Sequence, residues 1–304
     1  MEPLDAKRER VAELDLHLHS LASDGVLSPA ELVALAASEG IHSIALTDHD
    51  TTRGIAPALV AAREWGVEMI PGIEMTAENG EELHILGYFI DINSSALQDT
   101  LRRLRRLRVR RAQRMVEALL KLNMPVDWEE VRSQTWESVG RPHIARAMVA
   151  RGYVGAQKEA FDRYLEPGMP AYVPMPRPSA RQVIDLIRDA GGVASLAHPI
   201  IPNRDEPWIR LKSVAGTLQS LKAAGLAGVE AYYPGYAPDV VKALVEMAES
   251  LGLIPTGGSD FHTPNGRVSS PGGIDAPTTT IARLRDASER LGTNRRLALT
   301  MLPW

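Results

Sequence analysis

Two kinds of hydrophobic pattern alternate along most of the chain. Short apolar runs predict strands, and stretches with apolar residues at helical spacing predict helices. Ser28-Pro29-Ala30-Glu31 is typical of a capping box with proline at the first helical position, so a helix should begin there and end near Gly40. The predicted strands are 11–19, 41–46, 67–73, 83–90, 193–197, 228–232 and 253–257.

The same pattern predicts how these strands are connected. Further helices are expected at 54–65, 179–190, 217–224 and 238–251. Strands that alternate with helices form right-handed βαβ units and a mainly parallel sheet. Seven such strands fit a barrel better than an open sheet, so the predicted fold class is an α/β barrel.

Residues 99–175 interrupt this alternation. Apolar residues recur at helical spacing from Leu101 to Leu120, and further helices are expected at 143–151 and 157–165. The proline-rich run 167–178 then returns the chain to the strand–helix pattern. We therefore expect residues 1–98 and 176–304 to form the barrel, and residues 99–175 to form a helical insertion that caps the substrate.

Composition narrows the possible chemistry. The 304 residues include eight histidines and no cysteine, which excludes disulfides, thiolate metal sites and a cysteine nucleophile. No apolar run approaches the roughly 20 residues that span a bilayer, and the first ten residues lack the apolar core of a signal peptide. A cytoplasmic location without a membrane partner is the expectation.

Charge is unevenly distributed. The net charge is −4, yet residues 99–123 contain nine basic and two acidic residues, and 28 of the 34 basic residues in the chain are arginine. Arginine presents a planar fork suited to phosphate, although a high arginine content can also reflect genomic composition. The local cluster of basic residues in 99–123 indicates a phosphorylated substrate more strongly than the arginine content of the whole chain does.

Acid and imidazole side chains recur at or near the carboxyl ends of the predicted strands. In a parallel barrel these ends carry the active site, so residues far apart in sequence can converge there. His42 lies at the opposite end of its strand and is expected to be structural. The candidate metal ligands are His17, His19, Asp24, His49, Glu74, His84, His198, Asp260 and His262.

Nine ligands are too many for one ion but enough for two or three ions that share a carboxylate. Nitrogen and oxygen ligands without sulfur suit Mn²⁺, with Zn²⁺ or Fe²⁺ as alternatives. Neighbouring ions can ionise a shared water and clamp a phosphoryl oxygen, so the expected nucleophile is metal-bound hydroxide. No phosphate-binding Gly-x-x-x-x-Gly-Lys-Ser/Thr loop is present.

These motifs, in this order, resemble the PHP (polymerase and histidinol phosphatase) superfamily. They are His17-Leu18-His19, Ser23-Asp24-Gly25, Thr47-Asp48-His49-Asp50, Pro71-Gly72-Ile73-Glu74, His84, Leu196-Ala197-His198-Pro199 and Gly258-Ser259-Asp260-Phe261-His262. The resemblance implies a distorted (β/α)₇ barrel with a helical insertion between the fourth and fifth strands.

The resemblance also implies an assignment of ligands to ions. His17, His19, Glu74 and Asp260 would bind a first ion. Glu74 would bridge to a second ion, which His84 and His198 would hold. The third ion would be bound by Asp24, His49 and His262.

Within that superfamily, segments 110–114, 140–146 and 164–174 resemble the nucleoside 3′,5′-bisphosphate phosphatase branch, whose relatives also act as 5′–3′ exoribonucleases. The implied activity is metal-dependent removal of the 3′-phosphate from a nucleoside 3′,5′-bisphosphate to leave a 5′-nucleotide. The expected partner is a phosphorylated nucleotide, with short RNA as the alternative. No obligate protein partner is evident.

The arginine-rich insertion would bind the second phosphate. Arg111 and Arg114 are three residues apart on a predicted helix, and Arg177 lies on the return segment. His143, near a helix start, would contact phosphate or protonate the leaving oxygen. The candidates for base stacking are Trp128, Trp136 and Tyr172.

Three other functions compete with this one. Histidinol phosphate hydrolysis uses the same chemistry on an amine substrate, which suits an arginine-rich cap less well. A C–N amidohydrolase barrel often uses a bridging carbamylated lysine, and none of the six lysines lies at a predicted strand end. A non-catalytic module like those attached to some polymerases would not need a complete ligand set.

Overall fold

Seven strands form the framework of the protein. The computed structural model describes residues 14–202, 206–266 and 268–300, so residues 11–13 of the first predicted strand lie outside the described residues. The strands are β1 (Leu14–Leu18), β2 (Ser43–Leu46), β3 (Glu68–Glu78), β4 (Glu82–Tyr88), β5 (Val193–Leu196), β6 (Gly228–Tyr232) and β7 (Ile254–Gly257).

Helices connect most of these strands. The predicted capping box is confirmed, because the Ser28 hydroxyl accepts from the Glu31 N–H and the Glu31 carboxylate accepts from the Ser28 N–H. The helices are α1 (Pro29–Ser38), α2 (Ile55–Trp65), α3 (Ser95–Lys121), α4 (Trp128–Arg132), α5 (Arg141–Ala150), α6 (Gln157–Ala160) with a π-helical turn (Phe161–Leu165), α7 (Ala180–Asp189), α8 (Pro207–Ala223), α9 (Pro238–Ser250) and α10 (Thr279–Thr300).

The strands lie side by side in sequence order and form a distorted α/β barrel, as predicted. An isolated parallel bridge between Leu18, at the end of β1, and Phe261, beyond β7, brings the two edges of the sheet together. The pairs β1–β2, β2–β3, β5–β6 and β6–β7 are parallel. Strand β4, however, is antiparallel to both of its neighbours.

Strand β3 is longer than predicted. It continues to Glu78 rather than ending at Ile73, because its second half pairs with β4 across a tight turn at Gly80. Glu74 therefore lies within a strand, and His84 lies near the start of β4 rather than at a carboxyl end. Since β4 runs antiparallel, its start meets the carboxyl ends of the neighbouring strands.

The segment between β4 and β5 has a hydrophobic core of its own. Met115, Leu119, Ile144 and Met148 belong to this core. The first part of α3 instead contributes Leu97, Leu101 and Leu104 to the core of the barrel. The division at residues 99 and 175 remains a prediction, and α3 spans both cores. Among the described residues, no helix has the combined length and apolarity to cross a bilayer.

Candidate active site

The predicted ligands converge around the carboxylate of Glu74, which is buried at the centre of the barrel end. Its Oε2 lies 3.1–3.3 Å from nitrogen atoms of three histidines. Its Oε1 lies 2.7 and 3.2 Å from nitrogen atoms of two more. In that order, the five histidines are His17, His19, His49, His84 and His198.

The three remaining candidates complete this cluster. Asp260 Oδ1 is 3.4 Å from Nε2 of both His17 and His19. Asp24 Oδ1 is 3.4 Å from His262 Nε2, and the His262 ring stacks on His19 with centroids 4.0 Å apart. All nine predicted side chains therefore meet at one end of the barrel, although they span β1 to the loop after β7.

Within this cluster, three groups have ligand atoms within 4.8 Å of one another. One group, His17 with His19 and Glu74, contains three of the four residues implied for the first ion. His49 belongs to two groups, one with Asp24 and one with Glu74 and His84, so it could serve either of two neighbouring ions. The groups are His17–His19–Glu74, His49–Glu74–His84 and His19–Asp24–His49–His262.

Local backbone geometry explains how the strands deliver these side chains. His17 and His19 alternate along and just beyond β1, so both point to the barrel interior. His198 and Asp260 have positive φ angles of 22° and 55°, which turn their side chains inward as β5 and β7 end. A Cβ on Gly258 would lie 2.2 Å from the Cβ of His17, so only glycine permits this approach.

The electrostatics of the cluster reflect its buried charges. Burial alone would lower the pKa of His19, but the adjacent carboxylates of Asp260 and Glu74 help to raise it to about 10. Burial would likewise raise the pKa of Glu74, but the surrounding histidines hold it well below its usual range. Buried imidazole and carboxylate groups thus lie close enough to stabilise each other's charge.

A second cluster, of arginines, adjoins the first at His84. The Glu82 carboxylate lies 3.6 Å from His84 Nε2 and forms ion pairs with Arg141 and Arg177. A cleft of about 430 Å³ beside it is lined by His84, His198 and Arg141 among others. The cleft thus joins the histidine cluster to cationic side chains.

Arg111 and Arg108 extend this arginine cluster. Burial, together with the charges of Arg141, Arg108 and Arg177, lowers the pKa of Arg111 to about 10. The Arg111 guanidinium stacks on Tyr172 and donates to the Val173 carbonyl at 2.7 Å. Arg108 bonds to Asp50 and Thr76. We call Arg108, Arg111, Arg141 and Arg177 the arginine pocket.

The structure brings together two of the four predicted substrate contacts. Arg111 and Arg177 belong to the arginine pocket, whereas Arg114 is exposed further round α3. Arg108 and Arg141 were not predicted as site residues. Arg141 lies within the segment 140–146 that carried the resemblance, so that motif was the available signal.

His143 lies in the first turn of α5, as expected, but its ring contacts backbone groups. It is fully buried, its Nε2 donates to the Ser23 carbonyl at 3.0 Å, and its Nδ1 accepts from the Gly140 N–H at 2.9 Å. Both ring nitrogens are therefore engaged with backbone, and the ring supports the loop that carries Asp24. His42 is exposed before β2, so it is not a buried structural residue.

The aromatic candidates for base stacking are separated. Tyr172 lies under Arg111 in the arginine pocket. Trp128 packs on the core of the insertion, and Trp136 is 45% exposed.

Comparison with known proteins identifies the architecture. The family model described as PHP domain matches residues 15–166, which is half of the chain and includes six of the nine converging residues. The chain belongs to the PHP-domain family. Several proteins of curated function resemble the chain over most of its length, beyond the residues that the family model matches.

Two of these relatives differ in described activity. A 5′–3′ exoribonuclease of Haemophilus influenzae is 36% identical over 88% of this chain and 96% of its own. A 3′,5′-nucleoside bisphosphate phosphatase of Chromobacterium violaceum is 34% identical over 84% of this chain and 88% of its own.

Solved structures of PHP-like proteins match as well. A Bifidobacterium adolescentis protein classed among the metal-dependent phosphoesterases has a TM-score of 0.78 and 32% identity over 90% of this chain and 96% of its own. A Chromobacterium violaceum protein described as an amidohydrolase has a TM-score of 0.80 and 31% identity over 90% of this chain and 97% of its own. The family match, the bisphosphate phosphatase relative and the phosphoesterase structure together show that this protein is a metal-dependent phosphoric ester hydrolase.

The side chains of this PHP domain fit divalent ions. Among the described residues, several buried polar atoms lack a hydrogen-bond partner, and six of them belong to the converging cluster. Unpartnered buried polar groups are costly, and a coordinated cation would satisfy these lone pairs. The six atoms are His17 Nε2, His19 Nδ1 and Nε2, Asp24 Oδ1, His49 Nδ1 and Glu74 Oε2.

Glu230, on β6, is a functional residue that sequence reasoning missed. This fully buried carboxylate lies 3.1 Å from His17 Nδ1 through Oε1, and accepts from the His198 N–H at 2.7 Å through Oε2. Because Nδ1–H of His17 donates to Glu230, its Nε2 keeps a free lone pair towards the cluster. A charged residue inside an otherwise apolar predicted strand was the available signal.

Proposed function

We propose that this enzyme is a phosphomonoesterase that removes the 3′-phosphate of nucleoside 3′,5′-bisphosphates and leaves 5′-nucleotides. One observation carries the proposal: the arginine pocket adjoins the histidine–carboxylate cluster at His84, through Glu82. A bisphosphate needs two anion sites, one where the ester is hydrolysed and one where the second phosphate is held. The adjoining clusters offer that combination.

The nine converging residues are proposed to hold two or three divalent ions, with Mn²⁺ favoured and Zn²⁺ or Fe²⁺ as alternatives. Ions bound there would supply Lewis acidity to the phosphoryl group and make a water molecule more acidic. Glu74, which touches five histidines, is the residue placed to bridge neighbouring ions.

The arginine pocket would orient the substrate. Arg111 Nη2, Arg141 Nη1 and Arg177 Nε are buried without a hydrogen-bond partner among the described residues. A phosphate can accept from such groups, and guanidinium forks bind it bidentately. Holding the second phosphate fixes the position of the ester. The bond between phosphorus and the 3′ oxygen breaks as water adds to phosphorus, and the 3′ oxygen takes up a proton and leaves as a hydroxyl group.

The second candidate is 5′–3′ hydrolysis of short RNA. The Haemophilus influenzae relative, at 36% identity, is described as a 5′–3′ exoribonuclease. The same arginine pocket would then hold the 5′-phosphate of the RNA, and the ester broken would be an internucleotide phosphodiester.

The test is hydrolysis of a panel of substrates by the metal-loaded protein, followed as phosphate release from phosphomonoesters, as nucleotide release from RNA and as amine release from an amide. The panel contains nucleoside 3′,5′-bisphosphates, short RNA, histidinol phosphate, simple monophosphates and an amide substrate. We expect the highest kcat/KM for bisphosphates. A preference for histidinol phosphate, hydrolysis of the amide alone, or no phosphate release would contradict the proposal.

A pair of variants distinguishes the specific effect of the arginine pocket on substrate binding from the general effect of losing a positive charge. Arg141→Gln should raise the KM for a bisphosphate roughly 10- to 100-fold, because a charged hydrogen bond contributes about 1.5–3 kcal/mol. The control is Arg151→Gln, at the end of the same helix, where Arg151 pairs with Glu130 on the surface. Equal effects of the two substitutions would contradict the assignment.

A further inference from the structure

Most arginines of α3 do not face the active site. The apolar side of α3 packs on the barrel through Leu97, Leu101 and Leu104. Residues three or four apart lie on one helix face, so a series of arginines forms a stripe on the other side. We call Arg102, Arg103, Arg106, Arg110 and Arg114 the outer stripe.

The outer stripe is exposed and largely unneutralised. All five side chains are exposed. Arg102 pairs with Asp99, and Glu117 is the other acid on this face. Among the described residues, no ion pair engages Arg103, Arg106, Arg110 or Arg114. Like charges at such spacing destabilise a helix, so this face retains a repulsion that an anionic ligand would relieve.

Two adjoining cavities, which share Arg102 and Arg105 and which we together call the groove, lie between the outer stripe and the loop that carries His49. One part, of about 500 Å³, is lined by Arg102, Arg105, Arg106, Val109, Arg110 and Gln113. A second part, of about 740 Å³, shares Arg102 and Arg105 and continues to Thr51 and Thr52. Arg105 also donates to the carbonyl of Asp50, the residue next to His49.

We propose that this groove and the outer stripe bind the phosphate backbone of a single-stranded RNA substrate, apart from the arginine pocket. The inference rests on the proposed function of the barrel site and specifies a polynucleotide as its larger substrate. Consecutive guanidinium groups along a groove match the repeating negative charge of a nucleic acid. The exposed Trp136 adjoins Glu137, which lines the groove, and offers a ring for base stacking.

The test compares two triple variants in the metal-loaded enzyme. The first is Arg103→Gln, Arg106→Gln and Arg110→Gln. The control replaces exposed arginines on α2, α7 and α10, namely Arg63→Gln, Arg181→Gln and Arg283→Gln. Both have the same change in net charge, and none of the six residues lies in the arginine pocket or the histidine–carboxylate cluster.

The readouts are kcat/KM for a short 5′-phosphorylated RNA and for a nucleoside bisphosphate, each over a range of salt concentrations. In the first variant we expect a higher KM for RNA and a logarithmic salt dependence shallower by roughly 2, since each phosphate contact contributes about 0.7 on single strands. Kinetics on the bisphosphate should match the wild type, and the control should match it on both substrates.

Several outcomes would overturn the inference. They are unchanged RNA kinetics in the first variant, an equal loss in the control, an equal loss on the bisphosphate, or no RNA hydrolysis by a wild type that hydrolyses bisphosphates. The last outcome leaves the proposed function intact. Conversely, RNA hydrolysis that depends on the outer stripe, without bisphosphate hydrolysis, would support this inference and contradict the proposed function.

Discussion

The barrel end and the arginine-rich helix α3 present their functional side chains in opposite ways. At the barrel end, nine acid and imidazole side chains from different elements meet around one carboxylate. On α3, arginines close in sequence separate, with Arg111 buried in the arginine pocket and Arg114 exposed. Strand order brings distant residues together, whereas a helix directs neighbouring residues to different surroundings.

The barrel cluster and the arginine pocket also differ in the kind of ligand that would satisfy their buried polar atoms. The barrel cluster contains buried lone pairs that a cation would satisfy. The arginine pocket contains buried N–H groups that an anion would satisfy. Because the two clusters meet at His84, a phosphorylated substrate bound there would lie between cations on one side and guanidinium groups on the other.

The largest effect should follow from His19→Ala. His19 is fully buried and belongs to two of the three candidate ligand groups. We expect loss of bound metal and a loss of activity greater than the roughly 10- to 100-fold typical of an outer-shell residue. Metal analysis and phosphate release measure this, and thermal unfolding in chelator checks that the fold survives. A fully active His19→Ala protein would contradict the assignment of the barrel end as the metal site.

The next effect concerns His143, which joins α5 of the insertion to the barrel loop that carries Asp24. Burial, aided by the charge of Arg146, lowers the pKa of His143 from 6.5 to about 4. Between pH 6.5 and pH 4, the unfolded chain therefore binds a proton at His143 more readily than the folded chain does. The free energy of unfolding should fall as pH drops from 6.5 to 4. The contribution of His143 is about 3 kcal/mol.

The measurement is chemical denaturation of the metal-free protein across this pH range. His143→Gln retains a donor for the Ser23 carbonyl but cannot titrate, so its unfolding free energy should fall less steeply than that of the wild type. Identical pH dependence in the two proteins would show that His143 is not held neutral between the insertion and the barrel.

A smaller effect is expected from Glu230→Gln. The amide can donate to His17 Nδ1 and so favour the tautomer with its proton on Nε2, towards the metal cluster. Metal affinity should fall roughly 10- to 100-fold. Titration calorimetry with Mn²⁺ measures it, with Tyr88→Phe as the control because Tyr88 is also fully buried inside the barrel. Unchanged affinity in Glu230→Gln would contradict a positioning role.

The smallest effect is expected from Arg114→Gln. Since Arg114 is exposed and outside the arginine pocket, the KM for a nucleoside bisphosphate should stay within about twofold of the wild type. Steady-state kinetics beside Arg141→Gln make the contrast direct. A large rise in KM for Arg114→Gln alone would show that the inward and outward faces of α3 have been assigned the wrong way round.

Much of the fold was predictable because its signals are local. The capping box at Ser28, the glycine that ends α2 and the apolar runs of the strands depend on neighbouring residues only. The reversal of β4 was not predicted, since the turn at Gly80 joins two strands that a parallel pattern would have joined by a helix. His84 reaches the site for that reason.

Site residues could be predicted where their role follows from their position on a strand, and not where it depends on packing between distant elements. His17 and His19 follow from alternation along one strand, and Glu74 from its order in the barrel. Glu230 could not be assigned, because its role depends on contacts with β1 and with the loop after β5. Arg108 and Arg141 depend on how α3 and α5 pack together, which helical periodicity does not specify.

The central claim is that the nine converging side chains hold neighbouring divalent ions beside the arginine pocket. Anomalous X-ray scattering from crystals of the Mn²⁺-loaded protein tests it most directly. We predict two or three anomalous peaks among the nine side chains, with Glu74 touching more than one. A protein that binds Mn²⁺ only elsewhere, or shows no peak between Glu74 and its histidines, would contradict the account.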